Sequence, residues 1–153
     1  MKWSDLEHET CPVARGLSVV GDRWTLLVLR DCFRGLRRFD DIQASLGITR
    51  HVLSDRLKRL EETGVLERTL YCETPPRHEY RLTEKGRALY PVLVSLVTWA
   101  EAHQPHDTAA PYVYRDRDTG RQLDPVLVDR ESGEALDPTR VRAGRDAVPS
   151  AGR

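Results

Sequence analysis

Between residues 37 and 82, apolar positions follow a helical period twice and then give way to strand-like runs. Phe39, Ile42 and Leu46 recur at a spacing of three and four residues, which predicts a short amphipathic helix. Gly47 follows the last of them, where a glycine can adopt the left-handed conformation that ends a helix. A second apolar face is formed by Val52, Leu53, Leu57 and Leu60. The pattern therefore predicts two helices joined by a tight turn.

The second of these helices has a cationic front. Thr49 suits its N-cap, because a threonine hydroxyl can accept a hydrogen bond from an unpaired backbone N–H, and Gly64 ends it. Its polar positions hold Arg50, His51, Ser54, Arg56, Lys58 and Arg59, with Asp55 among them. Residues 65–71 and 77–82 read as two strands joined by CETPP, whose two prolines stiffen a loop. A helix-turn-helix followed by a basic β-hairpin is a winged helix-turn-helix.

Helices are also predicted on both sides of this stretch. Cys11 and Pro12 suit a helix start, and Val13, Leu17 and Val20 form one apolar stripe. Asp22 is a plausible N-cap for residues 23–33, which are apolar almost all round and predict a central helix.

Another helix is expected to start at Thr83, and Pro91 should either kink it or separate a first turn from the main length. Its apolar residues are Leu89, Val92, Leu93, Leu96, Val97, Trp99 and Ala100. We expect this surface to pack on a second subunit as well as on its own domain. An ordinary core helix is the alternative.

The end of the chain contains an internal repeat. DRDTGRQLDPVLV at 116–128 recurs as DRESGEALDPTRV at 129–141. Gly120 and Gly133 suit left-handed turn positions, and we predict a small β-meander with strands at 112–115, 122–123 and 126–128. Its nearly balanced charge argues against DNA binding. It could cover a dimer, contribute to a ligand pocket or act as a stabilising flap.

The expected fold class is mainly α with a small β wing (α+β), a winged helix-turn-helix with a short C-terminal β-rich extension. The predicted organisation is a loose N-terminal arm at 1–10, a DNA-binding and dimerisation domain at 11–104, and the repeat extension at 105–141. Residues 142–153, rich in Gly, Ala, Pro and Arg, are expected to form a disordered tail.

Composition narrows the class of partner. The formal net charge is zero, so any nucleic-acid site must come from local clustering of charge. Arginine far outnumbers lysine, which suits bidentate contacts to phosphate or guanine, although a biased genome would give the same excess. The three cysteines, Cys11, Cys32 and Cys72, imply no disulfide framework. Without a signal peptide or an apolar run long enough to span a membrane, a cytoplasmic protein, nucleoid-associated when bound to DNA, is expected.

Signs of catalytic chemistry are missing from the sequence. His103 and His106 supply two ligands at most, which do not close a tetrahedral zinc site, and we find neither a phosphate-binding glycine loop nor a nucleophile elbow. We therefore expect no metal, no cofactor and no enzymatic activity. Cys11 is the one residue with plausible reactivity, because a helix N-terminus favours the thiolate. A half-buried packing residue is the alternative at Cys11, and oxidation of Cys72 at the wing is a second one.

Residues of roughly 11–102 resemble the HxlR-type family of bacterial winged-helix transcriptional regulators. The matching motifs are CPV at 11–13, GDRWTLLVLRD at 21–31, RRFDDIQ at 37–43, ITRHVLSDRLKRLEETGVLER at 48–68 and PPRHEYRLTEKGRAL at 75–89, with Trp99. The resemblance implies a homodimer on an imperfect palindrome, a recognition helix from Thr49 and a wing around Arg77. It also implies dimerisation through the first and last helices, and some relatives sense oxidants or electrophiles through a cysteine at the position of Cys11. It suggests no role for the extension.

These observations give a specific expectation for the partners, which are double-stranded DNA, a second copy of the chain, and a small-molecule effector or oxidant, with no membrane. The expected DNA-binding residues are Arg37, Arg38, Thr49, Arg50, His51, Ser54, Arg56, Lys58, Arg59, Arg68, Arg77 and His78. The expected dimer interface contains Val13, Leu17, Leu89, Leu93, Leu96, Val97, Trp99 and Ala100. A winged-helix module that binds protein instead of DNA is the alternative. Such modules tend to carry an acidic or apolar recognition helix.

Overall fold

A computed structural model describes residues 3–141 and Gly144, and the chain divides into two compact units, Met1–Leu96 and Val97–Arg153. The predicted disordered tail at 142–153 lies outside the described residues, apart from Gly144. Among the helices that the structure describes, none is long and apolar enough to cross a membrane.

The first unit is a winged helix-turn-helix, which confirms the predicted α+β class. Its helices are α1 (Trp3–Leu6), α2 (Pro12–Val20), α3 (Thr25–Phe33), α4 (Phe39–Leu46) and α5 (Arg50–Glu62). They are followed by β1 (Leu66–Glu73), β2 (Pro76–Leu82), α6 (Glu84–Arg87) and α7 (Tyr90–His103), whose last turns belong to the second unit. The arm predicted to be loose contains the short helix α1, which contacts α2.

The core of this unit forms where α3, α4 and α5 meet the start of the wing. Val28 and Leu29 of α3 and Ile42 of α4 are fully buried. They cluster with Leu53, Leu57 and Leu60 of α5 and with Val65 and Leu66. Each such side chain stabilises the fold by about 1.5–3 kcal/mol relative to exposure. Because the leucines of α5 are held in this core, its polar face must point away from it.

The predicted ends of the helix-turn-helix are confirmed. Gly47 takes a left-handed conformation with φ 64°, and its N–H donates to the Gln43 carbonyl at 2.9 Å. The Thr49 hydroxyl accepts from the Val52 N–H at 3.3 Å and so caps α5. Gly64, with φ 69°, closes the other end. These local signals fix the turn between α4 and α5.

The wing is an antiparallel hairpin with a shorter loop than predicted. Its register runs from Leu66 opposite Leu82 to Glu73 opposite Pro76, with an irregularity between Leu70 and Cys72. The loop was expected to span 72–76, but pairing continues to the last residues, so only 74 and 75 form the turn.

Pro91 separates two helices and does not kink one. The Thr83 hydroxyl accepts from the Gly86 N–H at 3.1 Å and caps α6, which ends at Arg87. The main helix α7 then begins at Tyr90, so that Pro91 lies in its first turn. A proline in the first turn costs no intrahelical hydrogen bond, whereas inside a continuous helix it would remove one. The chain therefore ends α6 before Pro91 and starts a new helix there.

The second unit contains the two repeats, each closed by its own tight loop. The Gly120 N–H donates to the Asp116 carbonyl and the Gly133 N–H to the Asp129 carbonyl, both at 2.9 Å. Both glycines have φ 71°, as predicted for left-handed turns. Around the first of these loops, β3 (Tyr114–Arg115), which precedes the repeat, pairs with β4 (Gln122–Leu123) within it.

The third strand predicted at 126–128 does not form. Within the described part of this unit, that segment makes only an isolated bridge, between Val128 and Ala135. Val128 pairs with Ala135 of the second repeat instead of with β4. A continuous three-stranded meander is therefore not formed.

Candidate nucleic-acid interface

The solvent-facing front of α5 carries His51, Ser54, Asp55 and Lys58, all of which are exposed. The Lys58 side chain is 75% exposed, and its Nζ lies 3.8 Å from a Glu62 carboxylate oxygen. The opposite face is the leucine row in the core. The helix therefore presents polar and cationic groups outward on an apolar base.

Arg50 lies at the start of α5 and is oriented by α4. Its Nη1 donates to Asp40 Oδ1 at 2.7 Å and to Gln43 Oε1 at 3.3 Å. Its guanidinium also lies 4.5 Å from the centroid of the Phe39 ring, a cation–π distance. The side chain remains 68% exposed. Arg50 is thus held in one direction while it stays accessible.

Arg56 and Arg59 have partners inside the protein. Arg56 Nη1 lies 3.5 Å from Asp22 Oδ2, and only 28% of its side chain is exposed. Its Nε is buried and has no hydrogen-bond partner among the described residues. Arg59 Nη2 donates to the Ser18 carbonyl oxygen at 2.7 Å. Arg56 Nη2 also donates to Asp55 Oδ2 at 3.4 Å, on the front of the helix. Both guanidinium groups thus contact the junction of α2 and α3, whereas the sequence predicts contact with bases or phosphates for these residues.

Asp22 links this junction to α3. Its carboxylate accepts from the Trp24 and Thr25 N–H groups at 2.9 and 3.1 Å and from the Thr25 hydroxyl. Partial burial acts to raise the pKa of Asp22, but the hydrogen bonds from Thr25 and Trp24 and the charge of Arg56 outweigh it, so the pKa lies below its ordinary value of 3.8. The helix begins at Thr25 instead of the predicted Arg23, so Trp24 and not the predicted Asp22 occupies the N-cap position. Asp22 still accepts from the N–H of Thr25, the first helical residue.

The wing and the start of α4 share a polar recess of about 420 Å³. Arg38 lies with its guanidinium carbon 5.0 Å from the Tyr71 ring centroid, and Arg68 Nη2 lies 3.0 Å from His78 Nδ1. The Arg37 carbonyl accepts from the Tyr80 N–H at 2.8 Å, which ties the residues before α4 to β2. The recess is lined by Arg38, Phe39, Asp40, Asp41, Tyr71, Arg77 and His78. The predicted DNA-binding residues Arg38, Arg77 and His78 therefore line one recess, between the start of α4 and the wing.

The predicted dimer residues divide into exposed and buried ones. Val13 is 67% exposed, and Leu17, Leu96 and Trp99 are exposed as well. Leu93 is buried in the core, and Leu89 packs against it. Val97 and Ala100 are partly buried. Within the second unit the Trp99 ring lies 5.6 Å from the His103 ring. The exposed members are the ones free to meet another surface.

The three cysteines occupy different environments. Cys11 is exposed and lies at the N-cap of α2, as predicted. Burial, and to a lesser degree the negative charge of Asp31, raises the pKa of Cys32 to about 12. Cys72 is partly buried on the wing, with its Sγ 3.6 Å from the Thr74 carbonyl oxygen. In the described part of the chain, no group of three or more His, Cys, Asp or Glu residues could hold a metal ion.

Sequence reasoning did not identify the residues that orient the cations, namely Asp22, Phe39, Asp40 and Gln43. A signal was available for Asp40 and Gln43. In a tight helix-turn-helix the first turn of the second helix must approach the first helix, so an acid and an amide at the exposed positions of α4 are natural partners for Arg50.

Comparison with known proteins supports the identification of this chain as a helix-turn-helix transcriptional regulator. The HxlR-like helix-turn-helix family matches residues 19–108. The HTH-type transcriptional regulator Rv3095 of Mycobacterium tuberculosis is 44% identical over 138 residues, which cover 89% of this chain and 87% of the relative.

Two solved structures are also similar. The crystal structure of PA1607, described as a candidate transcription factor, has a TM-score of 0.84 and 38% identity, and the match covers 93% of this chain and 99% of that one. The redox regulator HypR in its reduced form has a TM-score of 0.57 and 33% identity, with 60% and 92% covered. With the family match spanning more than half of the residues and the winged helix-turn-helix in place, this chain belongs to the HxlR-like helix-turn-helix family of transcriptional regulators.

Proposed function

We propose that this regulator binds a palindromic operator as a homodimer. Each protomer inserts α5 into a major groove, and the two grooves lie about one helical turn, ~10 bp, apart. One observation carries the proposal, which is the exposed front of α5 with the cations Arg50 and Lys58, held over a buried leucine row. The wing beside it adds Arg68, Arg77 and His78. The operator-bound dimer acts on transcription in the cytoplasm, at the nucleoid.

The exposed residues divide into two roles by position. Thr49, Arg50, His51 and Ser54 lie in the first turns of α5, the part of a recognition helix that reaches base edges. The other exposed cations among the predicted DNA-binding residues would fix the register on the phosphates, and they are Arg37, Arg38, Lys58, Arg68 and Arg77, with the partly buried His78 beside them. Arg50 is the strongest candidate for reading a base, because Asp40 and Phe39 hold its guanidinium in one direction.

The homodimer is supported by apolar side chains that lack cover. Val13 and Leu17 on α2, and Val92 and Leu96 on α7, are all exposed. Both helices lie outside the helix-turn-helix and the wing, so a second protomer could cover them and leave α5 open. We propose that residues 11–104 carry both DNA binding and dimerisation.

A redox or ligand switch is proposed in addition. Cys11 is exposed at the start of α2, whose apolar face is the proposed dimer contact. Its modification would change the charge and volume at that contact and so the spacing of the two recognition helices. A relative of similar fold, HypR, is named a redox regulator. If oxidation weakens DNA binding by the wild type, Cys11→Ser should keep its DNA affinity under the same oxidant. A variant that responds to the oxidant as the wild type does would reject this switch.

The test of DNA binding starts from a random duplex library. The purified wild-type protein selects its preferred duplex, and binding to that duplex is titrated at several salt concentrations. Arg50→Ala should weaken binding by about 1–3 kcal/mol and relax the preference at one position of each half-site. Arg121→Ala, an exposed arginine of the second unit, is the matched control and should bind as the wild type does. Failure of the wild type to enrich any sequence would reject the proposal.

A further inference from the structure

Three elements meet at a recess of about 280 Å³ beside the recognition helix. Its lining residues are Ser18, Val19, Asp22, Asp55, Arg56 and Arg59. Two arginines of α5 meet here with the last turn of α2 and with Asp22, whose carboxylate accepts from the first N–H of α3. Of the front residues of α5, Asp55 borders the recess, whereas His51, Ser54 and Lys58 do not. The recess therefore lies on the flank of α5 that faces α2, where it joins the recognition helix to the rest of the unit.

Arg59 supplies a C-terminal cap to α2. The last carbonyls of a helix have no intrahelical partner, and the Ser18 carbonyl is one of them. Arg59 Nη2 donates to it at 2.7 Å across 41 residues of sequence. A cation at this end also interacts favourably with the helix dipole. The group that would neutralise a DNA phosphate is thus already engaged with a backbone oxygen.

Arg56 makes the matching contact one turn earlier. Its Nη1 lies 3.5 Å from Asp22 Oδ2, and Asp22 in turn receives the first N–H groups of α3. With 28% of the side chain exposed and Nε buried, this arginine lies largely under the surface. Arg56 and Arg59 together hold α5 to both sides of the α2–α3 junction.

We propose that Arg56 and Arg59 are positioning residues, which set the pose of the recognition helix on α2 and do not contact DNA. The inference rests on the proposed function, since it concerns how the two copies of α5 meet an operator. α2 also carries exposed Val13 and Leu17, the proposed dimer contact. A rigid connection from that contact through Ser18 and Asp22 to α5 fixes the distance between the recognition helices. The two arginines thereby determine which half-site spacing the dimer accepts.

The salt dependence of binding separates a positioning residue from a phosphate contact. Each lost phosphate contact lowers the slope of log affinity against log salt by about 0.9. The variants are Arg56→Gln and Arg59→Gln, with Lys58→Gln as the matched control on the exposed front of the same helix. The probe is the duplex selected by the wild-type protein, and stoichiometric titration gives the active fraction of each variant, so that unfolded protein is discounted.

We expect Lys58→Gln to lower the slope by about 0.9, whereas Arg56→Gln and Arg59→Gln keep the wild-type slope and bind roughly 3- to 30-fold more weakly. Selection repeated with the two arginine variants should yield a broader range of half-site spacings, with each half-site sequence retained. A purely structural role would leave the spacing preference of the folded fraction unchanged. A slope lowered by about 0.9 in either variant, or a preference relaxed at a single base pair, would overturn the proposal.

A double-mutant cycle tests the Asp22 contact directly. If Arg56 acts through Asp22, the variant with both Asp22→Asn and Arg56→Gln should bind about as weakly as the weaker single variant. Multiplied losses would show that Arg56 acts independently of Asp22 and would reject that half of the proposal. The two proposals fail separately, because a wild type that selects no duplex rejects the proposed function before any variant is compared.

Discussion

The ionised carboxylate of Asp22 connects the start of α3 to Arg56 of α5. Since its pKa is lowered in the folded protein, the unfolded chain binds its proton more readily. Its contribution is therefore fully present above the unfolded pKa of 3.8 and is lost as the pH falls through the lower folded value. We expect Asp22→Asn to reduce the free energy of unfolding by about 1 kcal/mol at pH 7, as measured by urea denaturation.

The same measurement at low pH checks the sign. Below about pH 4 the gap between wild type and Asp22→Asn should shrink, because protonation leaves the Asp22 side chain uncharged like the asparagine that replaces it. Asp118→Asn, an exposed aspartate of the second unit, is the control and should match the wild type at both pH values. A gap that stays constant down to pH 3 would contradict the role given to the Asp22 charge.

Cys32 provides a second prediction for a single residue. Burial raises its pKa to about 12, so at pH 8 almost none of the reactive thiolate is present. Treatment of the native protein with iodoacetamide should modify Cys11 before Cys32, and peptide mass spectrometry measures the order. Addition of urea should remove the difference, because unfolding exposes Cys32 to solvent. Equal native rates would contradict the burial of this thiol.

The sequence predicted individual residues well where the cause is local. The cap at Thr49 and the left-handed Gly47 depend on neighbours a few residues away, and both are confirmed. The helix expected to start at Thr83 begins one residue later, with Thr83 as its cap. The partners of Arg56 and Arg59 were not predicted. Periodicity separates the buried face of a helix from its exposed face, but it does not say which element lies beside the flank between them.

At the scale of elements, Gly86 explains how α6 fits against the wing. A Cβ built on this residue would lie 2.2 Å from the Val65 carbonyl oxygen, a backbone atom that cannot move away cheaply. Gly86→Ala should therefore destabilise the protein by about 1–3 kcal/mol, as seen in the midpoint of thermal or urea unfolding. A glycine is needed here because of close approach, since its φ is not left-handed.

Gly16 is the matched control for Gly86. It lies within α2, and a Cβ added to it meets nothing within 4 Å. Gly16→Ala should stabilise the protein by about 0.5–1 kcal/mol, because alanine loses less conformational freedom in a helix. If both variants behaved alike, the packing of α6 against Val65 would not be the cause.

Element types followed from periodicity, whereas some boundaries and pairings did not. The helices α4 and α5 begin and end within a residue of their predicted positions, because apolar spacing and caps agree there. The segment 126–128 has the apolar residues of a strand, and yet it forms one bridge only. Strand formation depends on a partner edge, and here each repeat closes on its own loop before a longer edge develops.

At the scale of the whole molecule, the order of the motifs along the chain predicted the fold and the family. The proposed homodimer leads to a further prediction about DNA affinity. Binding two half-sites with one dimer makes the second contact intramolecular, with an effective concentration in the millimolar range. A protomer unable to dimerise loses that gain even if its α5 is intact. DNA affinity and self-association should therefore be lost together.

Val13→Asp is the sharpest test of this link. The side chain is 67% exposed, so the change should leave the protomer folded, but a carboxylate buried in a dimer contact without a partner is costly. We expect a monomer by analytical ultracentrifugation, with unchanged thermal unfolding of the protomer and a loss of operator affinity of at least ~100-fold. Val126→Asp, at a valine of the second unit with 66% exposure, should remain dimeric and bind as the wild type does. If Val13→Asp still sedimented as a dimer, α2 would not be the contact, and the route by which Arg59 transmits the dimer spacing to α5 would have to begin elsewhere.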